Sequence, residues 1–104
     1  MELPDYYNTI EKVGTAEFKD RGSRFIAIAY PVKTVADCKQ RIADIKKEYP
    51  KARHYCFAYR LGLDNNQFRV SDDGEPSGTA GRPILGQIDS KNVTDIIIIV
   101  VRYF

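Results

Sequence analysis

Two stretches of β-forming residues flank the tetrapeptide Asp20-Arg21-Gly22-Ser23 near the start of the chain. Gly22 can take the positive φ that a tight turn needs, so the pattern predicts a β-hairpin with arms at residues 15–20 and 23–30. The second arm, Phe25-Ile26-Ala27-Ile28-Ala29, is apolar on both faces, which marks an interior strand covered on each side or lined by small residues. Pro31 helps to end it, and residues 9–13 are expected to add an edge strand.

Past Pro31 the period of the pattern lengthens. Val35, Cys38, Ile42, Ile45 and Tyr49 recur at steps of three and four and form one apolar stripe, while Lys39, Arg41, Lys46, Lys47 and Glu48 take the wet side. Thr34-Val35-Ala36-Asp37 has the form of a capping box, in which hydroxyl and carboxylate satisfy free amides of the first turn, and Pro50 stops the run. Residues 53–61 then alternate as a strand must, with Tyr55, Phe57, Tyr59 and Leu61 on one face and His54, Cys56, Ala58 and Arg60 on the other. A turn at residues 62–66 leads into a second alternating run, where Phe68, Val70 and Asp72 oppose Gln67, Arg69 and Ser71, so a second hairpin is expected.

Residues 71–79 read as a polar loop. A second helix is predicted over residues 79–89, with Ser77 as its cap and Ile84, Leu85 and Ile88 as its apolar face, although Gly81 and Pro83 blur its start. Residues 95–104, rich in isoleucine and valine, form the last strand. The order hairpin, helix, hairpin, helix, strand lacks the alternating βαβ units of a doubly wound fold. It predicts an α+β two-layer sandwich with an antiparallel-rich sheet and two helices, in a single domain over residues 1–104.

Composition narrows the function more than it names it. A net charge of +2, from 16 basic and 14 acidic residues, is too small to argue for nucleic acid, so any basic patch must come from segregation on the surface. Cys38 and Cys56 have no metal-ligand spacing, which leaves a structural zinc site nothing to build on and fits a reduced, cytoplasmic setting. No stretch reads as a signal peptide, and the apolar run at residues 96–101 is far too short to span a bilayer. No cofactor, metal or membrane partner is expected.

Candidate chemistry concentrates in Ser71-Asp72-Asp73-Gly74-Glu75-Pro76-Ser77-Gly78-Thr79-Ala80-Gly81-Arg82-Pro83. Two functional readings compete there. Backbone amides at Gly78, Thr79 and Ala80, with the Ser77 and Thr79 hydroxyls and Arg82, could cradle an anion at a helix start. Alternatively, Asp72, Asp73 and Glu75 could gather magnesium or calcium, as a hydrolase or phosphotransferase requires. The same residues also suit a purely structural role, since Asp73-Gly74 is a common turn pair, Ser77 a common cap, and Arg82 a neutraliser of the acidic loop. His54, the only histidine, has no nucleophile or acid at catalytic spacing and reads as a structural residue. Lys19, Arg21, Arg24 and Lys33 around the first hairpin, and Arg53, His54, Arg60 and Arg69 around the second, would form a basic strip interleaved with Tyr55 or Tyr59 if the sheet places them together.

Four blocks in this chain closely resemble the YigZ/Impact family: Gly22-Ser23-Arg24-Phe25-Ile26-Ala27, then residues 52–60, then residues 71–84, and finally Val101-Arg102-Tyr103-Phe104. The third, an extended phrase rather than a short motif, is the most specific. The resemblance implies a fold like the second domain of small-subunit ribosomal protein five. It also implies a translation-associated binding module, since the eukaryotic relatives compete for a large ribosome-associated activator of a stress kinase and the bacterial ones are suspected to bind nucleic acid. No catalytic residue is carried over. The surface that the family phrase marks comprises Arg24, His54, Arg60, Asp72, Asp73, Glu75, Ser77, Gly78, Thr79, Arg82 and Arg102, and the expected partners are RNA, the ribosome or a translation-regulatory protein. The family pattern continues beyond Phe104 into a glycine-rich loop and a further helix, so this chain is expected to be truncated at its carboxyl end or completed by association with another copy.

Overall fold

A computed structural model describes residues 9–62 and 67–103. The elements follow in the order β1 (Gly14–Asp20), β2 (Ser23–Pro31), α1 (Val35–Glu48), β3 (His54–Leu61), β4 (Gln67–Ser71), α2 (Gly81–Ser90) and β5 (Ile96–Tyr103). The strands form one 5-stranded sheet in the order β1-β2-β5-β3-β4, every neighbouring pair antiparallel. The apolar run that ends the chain therefore lies at the centre. Its Ile97, Ile99 and Val101 are fully buried, which is why it tolerates no polar residue before Arg102.

The first hairpin closes through Arg21 and Gly22, at φ 49° and 82°, the left-handed pair whose twist matches that of the flanking strands. The capping box of α1 forms as its residues predict. Thr34 Oγ1 accepts from the Asp37 amide at 3.0 Å, and Asp37 Oδ2 accepts from the Thr34 amide at 3.2 Å. Cys38 and Ile45 of α1 pack on Ile26, Ile28, Tyr59, Leu61 and the buried side chains of β5, while Val35 at the helix start is 45% exposed and leaves the stripe.

The α+β class with an antiparallel sheet and two helices is the one the pattern predicts. The helices lie on opposite faces, so the expected two layers become a sheet with a helix on each side. Alternate residues of β3 settle this, since Tyr59 belongs to the core beneath α1 and its neighbour Ala58 to a second cluster with Leu85 and Ile88 of α2. Helix α2 touches β3 and β4, and it crosses so near that a Cβ on Gly81 would stand 2.8 Å from the Ser71 amide nitrogen. On the same face, β1 and β2 carry no helix among the described residues.

Two further expectations are corrected. Residues 9–13 form no strand, and the last edge strand is β1. Helix α2 begins at Gly81 rather than residue 79, and Ser77 does not cap it: its amides are satisfied by a carboxylate from outside the helix. Pro31 is the last residue of β2, opposite Ile96. The predicted turn at residues 62–66 falls, beyond Gly62, outside the described residues.

Candidate functional site

The family-type phrase begins where β4 ends. Asp73 and Gly74 take φ 44° and 88°, and the Glu75 amide donates to the Asp72 carbonyl at 2.9 Å, so residues 72–75 form a tight turn that reverses the chain at one end of the sheet. Beyond that turn the chain folds over the Asp72 side chain. Asp72 Oδ2 accepts from the Gly78 amide at 2.9 Å, and Oδ1 accepts from Ala80 at 3.1 Å and Gly81 at 2.8 Å. These bonds, Gly78 foremost, hold the Asp72 carboxyl below the usual carboxylate range. Two of the amides expected to cradle an external anion, those of Gly78 and Ala80, are thus turned with Gly81 onto the protein's own carboxylate.

Asp73 and Glu75 are engaged in the same manner. Asp73 Oδ2 accepts from the Tyr55 amide at 2.7 Å, continuing the β3 ladder past the last residue of β4. The Asp73 carbonyl stands 2.7 Å from His54 Nδ1, and His54 Nε2 lies 3.6 Å from Glu75 Oε1. Arg102 Nη1 donates to both Glu75 oxygens at 2.8 Å while its Nε reaches Ser23 Oγ at 3.3 Å, and its guanidinium lies 5.5 Å above the Phe25 ring. One arginine of the central strand therefore ties the turn of the first hairpin to the loop after the second. Thr79 donates its amide and hydroxyl to the Pro76 carbonyl.

The three carboxylates thus face three different sets of donors rather than one point in space. Among the described residues no group of three or more His, Cys, Asp and Glu side chains could hold a metal ion. The magnesium reading of the loop is corrected on that ground, because a cation would have to displace bonds that hold the turn together. Both cysteines are buried, which raises the Cys38 thiol to about 11 and the Cys56 thiol to about 12, and Cys56 Sγ donates to the Asp72 carbonyl at 3.1 Å.

The predicted residues do not form one surface. His54, Asp72, Asp73, Glu75, Gly78, Thr79 and Arg102 gather at one end of the sheet on the α2 face. Arg60 is at the other end of β3, held by Asp89 of α2 at 2.7 and 3.0 Å and lying 5.2 Å from the Phe68 ring. Arg24 projects from the opposite face, where it meets Glu17 at 2.7 Å and covers the Tyr103 ring at 5.7 Å. Ser77 and Arg82 are exposed. The basic strip is likewise divided, since successive residues of a strand point to opposite faces. Sequence reasoning missed Ser23 and Asp89, whose partners lie 79 and 29 residues away and leave no local signal.

At the tip of the first hairpin a cleft of roughly 530 Å³ opens between Lys19, Arg21, Arg24 and Tyr103. It presents three cations, the Asp20 carboxylate and one aromatic ring beside the end of the sheet where the loop is locked.

The family model for the Impact N-terminal domain matches residues 21–104. The IMPACT family member YvyE of Bacillus subtilis (strain 168) is 38% identical over 98 residues, 94% of this chain and 45% of that protein. The IMPACT family member YigZ of Escherichia coli (strain K12) is 42% identical over 84 residues, 79% of this chain and 41% of that protein. Among solved structures, the two-domain translational regulator Yih1 superposes with a TM-score of 0.63 at 26% identity, covering 100% of this chain and 42% of that one. The chain thus spans less than half the length of these relatives.

Proposed function

This chain belongs to the Impact N-terminal domain family, and from that premise we propose that it is a translation-associated binding module without catalytic chemistry of its own, which contacts RNA through the tip of the first hairpin. The observation that carries this reading is the contrast at one end of the sheet. The loop groups that could have done chemistry are bonded to the protein itself, whereas Lys19 and Arg21 stand exposed beside a cleft that Asp20, the Glu17-bound Arg24 and Tyr103 also line. Exposed cations suit phosphate oxygens, and an aromatic wall suits an unstacked base. The exposed Ser77 and Arg82 of the neighbouring loop, with Gly78 and Thr79, would extend the contact. The bonded residues Asp72, Asp73, Glu75, His54 and Arg102 would hold this end of the sheet rigid. The similarity to a two-domain translational regulator supports the setting.

The test is a fluorescence titration with single-stranded and structured RNA at two salt concentrations. Binding that weakens as salt rises, and that Arg21→Gln weakens further with a shallower salt dependence, supports the reading. Binding absent at low salt would rule out RNA and leave a regulatory protein as the partner.

A further inference from the structure

We propose that the outer edge of β1 is a self-complementary interface, through which two copies of this chain pair antiparallel into one continuous sheet. All seven residues of β1 are exposed, and all seven pair with β2 in unbroken register from Gly14 opposite Ala29 to Asp20 opposite Ser23. No bulge or proline interrupts it, and its charges, Glu17, Lys19 and Asp20, leave a regular edge open only to a partner of complementary charge. In a hairpin closed by a two-residue turn the closing pair is hydrogen-bonded and bonded pairs alternate. The N–H and C=O groups of Thr15, Glu17 and Lys19 therefore point away from β2, with no strand beyond them among the described residues.

Charge selects the partner and the register. Glu17 and Lys19 lie two apart on the same face with opposite signs. Antiparallel pairing centred on Phe18 sets Glu17 opposite Lys19 of the second copy, and Lys19 opposite Glu17 of the second copy, both as hydrogen-bonded pairs. Lys19 gains most, because within its own hairpin it stands opposite another cation, Arg24. On the other face the two Phe18 rings become a close non-bonded pair. Each is 52% exposed and already stacked on Phe25 at 4.8 Å and 7°, so pairing extends two short stacks into one aromatic row across the dimer. Centring one residue earlier would set Glu17 against Glu17, and a shift of a single residue from either register would turn the bonding groups out of line. The other sheet edge lacks this opportunity: β4 has 5 residues, and its end is covered by the start of α2.

Sedimentation equilibrium of the 104-residue protein over a wide concentration range tests the proposal. The wild type should dimerise, and Lys19→Glu and Glu17→Lys should each weaken the dimer at least about tenfold, because both symmetry-related charge pairs become repulsive. Mixed in equal amounts, the two variants should regain wild-type affinity, since each then meets its complement. Phe18→Asp, which leaves the Glu17 and Arg24 bond untouched, should also yield monomers, with circular dichroism showing every variant folded. A wild type that stays monomeric throughout, a dimer indifferent to the single charge reversals, or a mixture that fails to associate would each overturn the proposal.

Discussion

The two hairpins of this domain are built alike and finished differently. Behind β3 and β4 the chain continues into a loop whose carboxylates clamp backbone amides, then into a helix that crosses β4 at the distance only a glycine allows. Behind β1 and β2 the described residues hold nothing comparable: one face shares the core under α1, and the other carries the exposed Phe18 stacked on a half-buried Phe25. The half that holds the most family-specific phrase has thus turned its polar groups inward, and the half with the plainer sequence keeps its strand edge and its cations outward. A dense cluster of acidic and hydroxyl side chains can mark a brace as readily as a site, because a sharp turn before a helix leaves several amides that must find acceptors.

Glycine substitutions should break that contrast most sharply. A Cβ at Gly81 meets the Ser71 amide nitrogen at 2.8 Å and the Val70 Cβ at 2.9 Å, so either β4 or α2 must shift. Gly81→Ala should cost about 1–3 kcal/mol as an overpacking change, seen as a lowering of the melting temperature by about 4–8 °C per kcal/mol. Gly14, at the start of β1, has nothing within 4 Å of the same position. Gly14→Ala should leave stability within about 0.5 kcal/mol of wild type. Equal effects at the two sites would show that the covered hairpin is no more tightly packed than the open one.

Arginine substitutions should sharpen the contrast further. Arg102 and Glu75 are 26% and 13% exposed, and the pair links two segments far apart in the chain. Arg102→Met should cost about 1–2 kcal/mol in thermal or urea unfolding, because both Glu75 oxygens lose the Nη1 donor they share in a half-enclosed place. The effect should persist in high salt. Arg24 and Glu17 are 48% and 46% exposed, so Arg24→Met should change stability far less, and salt should erase the difference.

How much of this was legible in the sequence follows the range of each interaction. Helix α1 and its capping box are written within a few residues, Thr34 to Asp37 for the cap and Cys38 to Ile45 for the buried stripe, and they form as read. The turn at Asp73-Gly74 and both hairpins are local as well. The helix start was misread because Ser77 is the nearest conventional cap, whereas the acceptor in the structure is Asp72, up to 9 residues away and brought back by the turn. Arg24 and Arg102 carry equal weight in the family-type blocks, yet they lie on opposite faces, since Arg24 pairs with Tyr103 rather than with Arg102. Strand register decides that, and register depends on residues some eighty positions apart.

The last and smallest difference concerns acid. The Asp72 carboxyl is lowered from 3.8 by the Gly78, Gly81 and Ala80 amides, so the folded state favours its ionised form. That contribution is complete above the unfolded value and disappears as pH falls through the lower folded one, which makes stability decline as the solution is acidified below about pH 5. Glu17 on the open hairpin is also lowered, from 4.5, but by Arg24, and that pair is exposed. The two should therefore separate under salt. Urea unfolding from about pH 5 to pH 2 should show a salt-sensitive part of the slope that Glu17→Gln removes and a salt-resistant part that Asp72→Asn removes, while the Asp37 cap contributes to both backgrounds alike. The reason lies in the donors: counterions screen a guanidinium in water, but they cannot replace three amides aimed at one carboxylate. An Asp72→Asn protein with an unaltered acid slope would mean that the loop is held by its turn geometry alone, and the inward-facing charge would no longer distinguish the covered half from the open one.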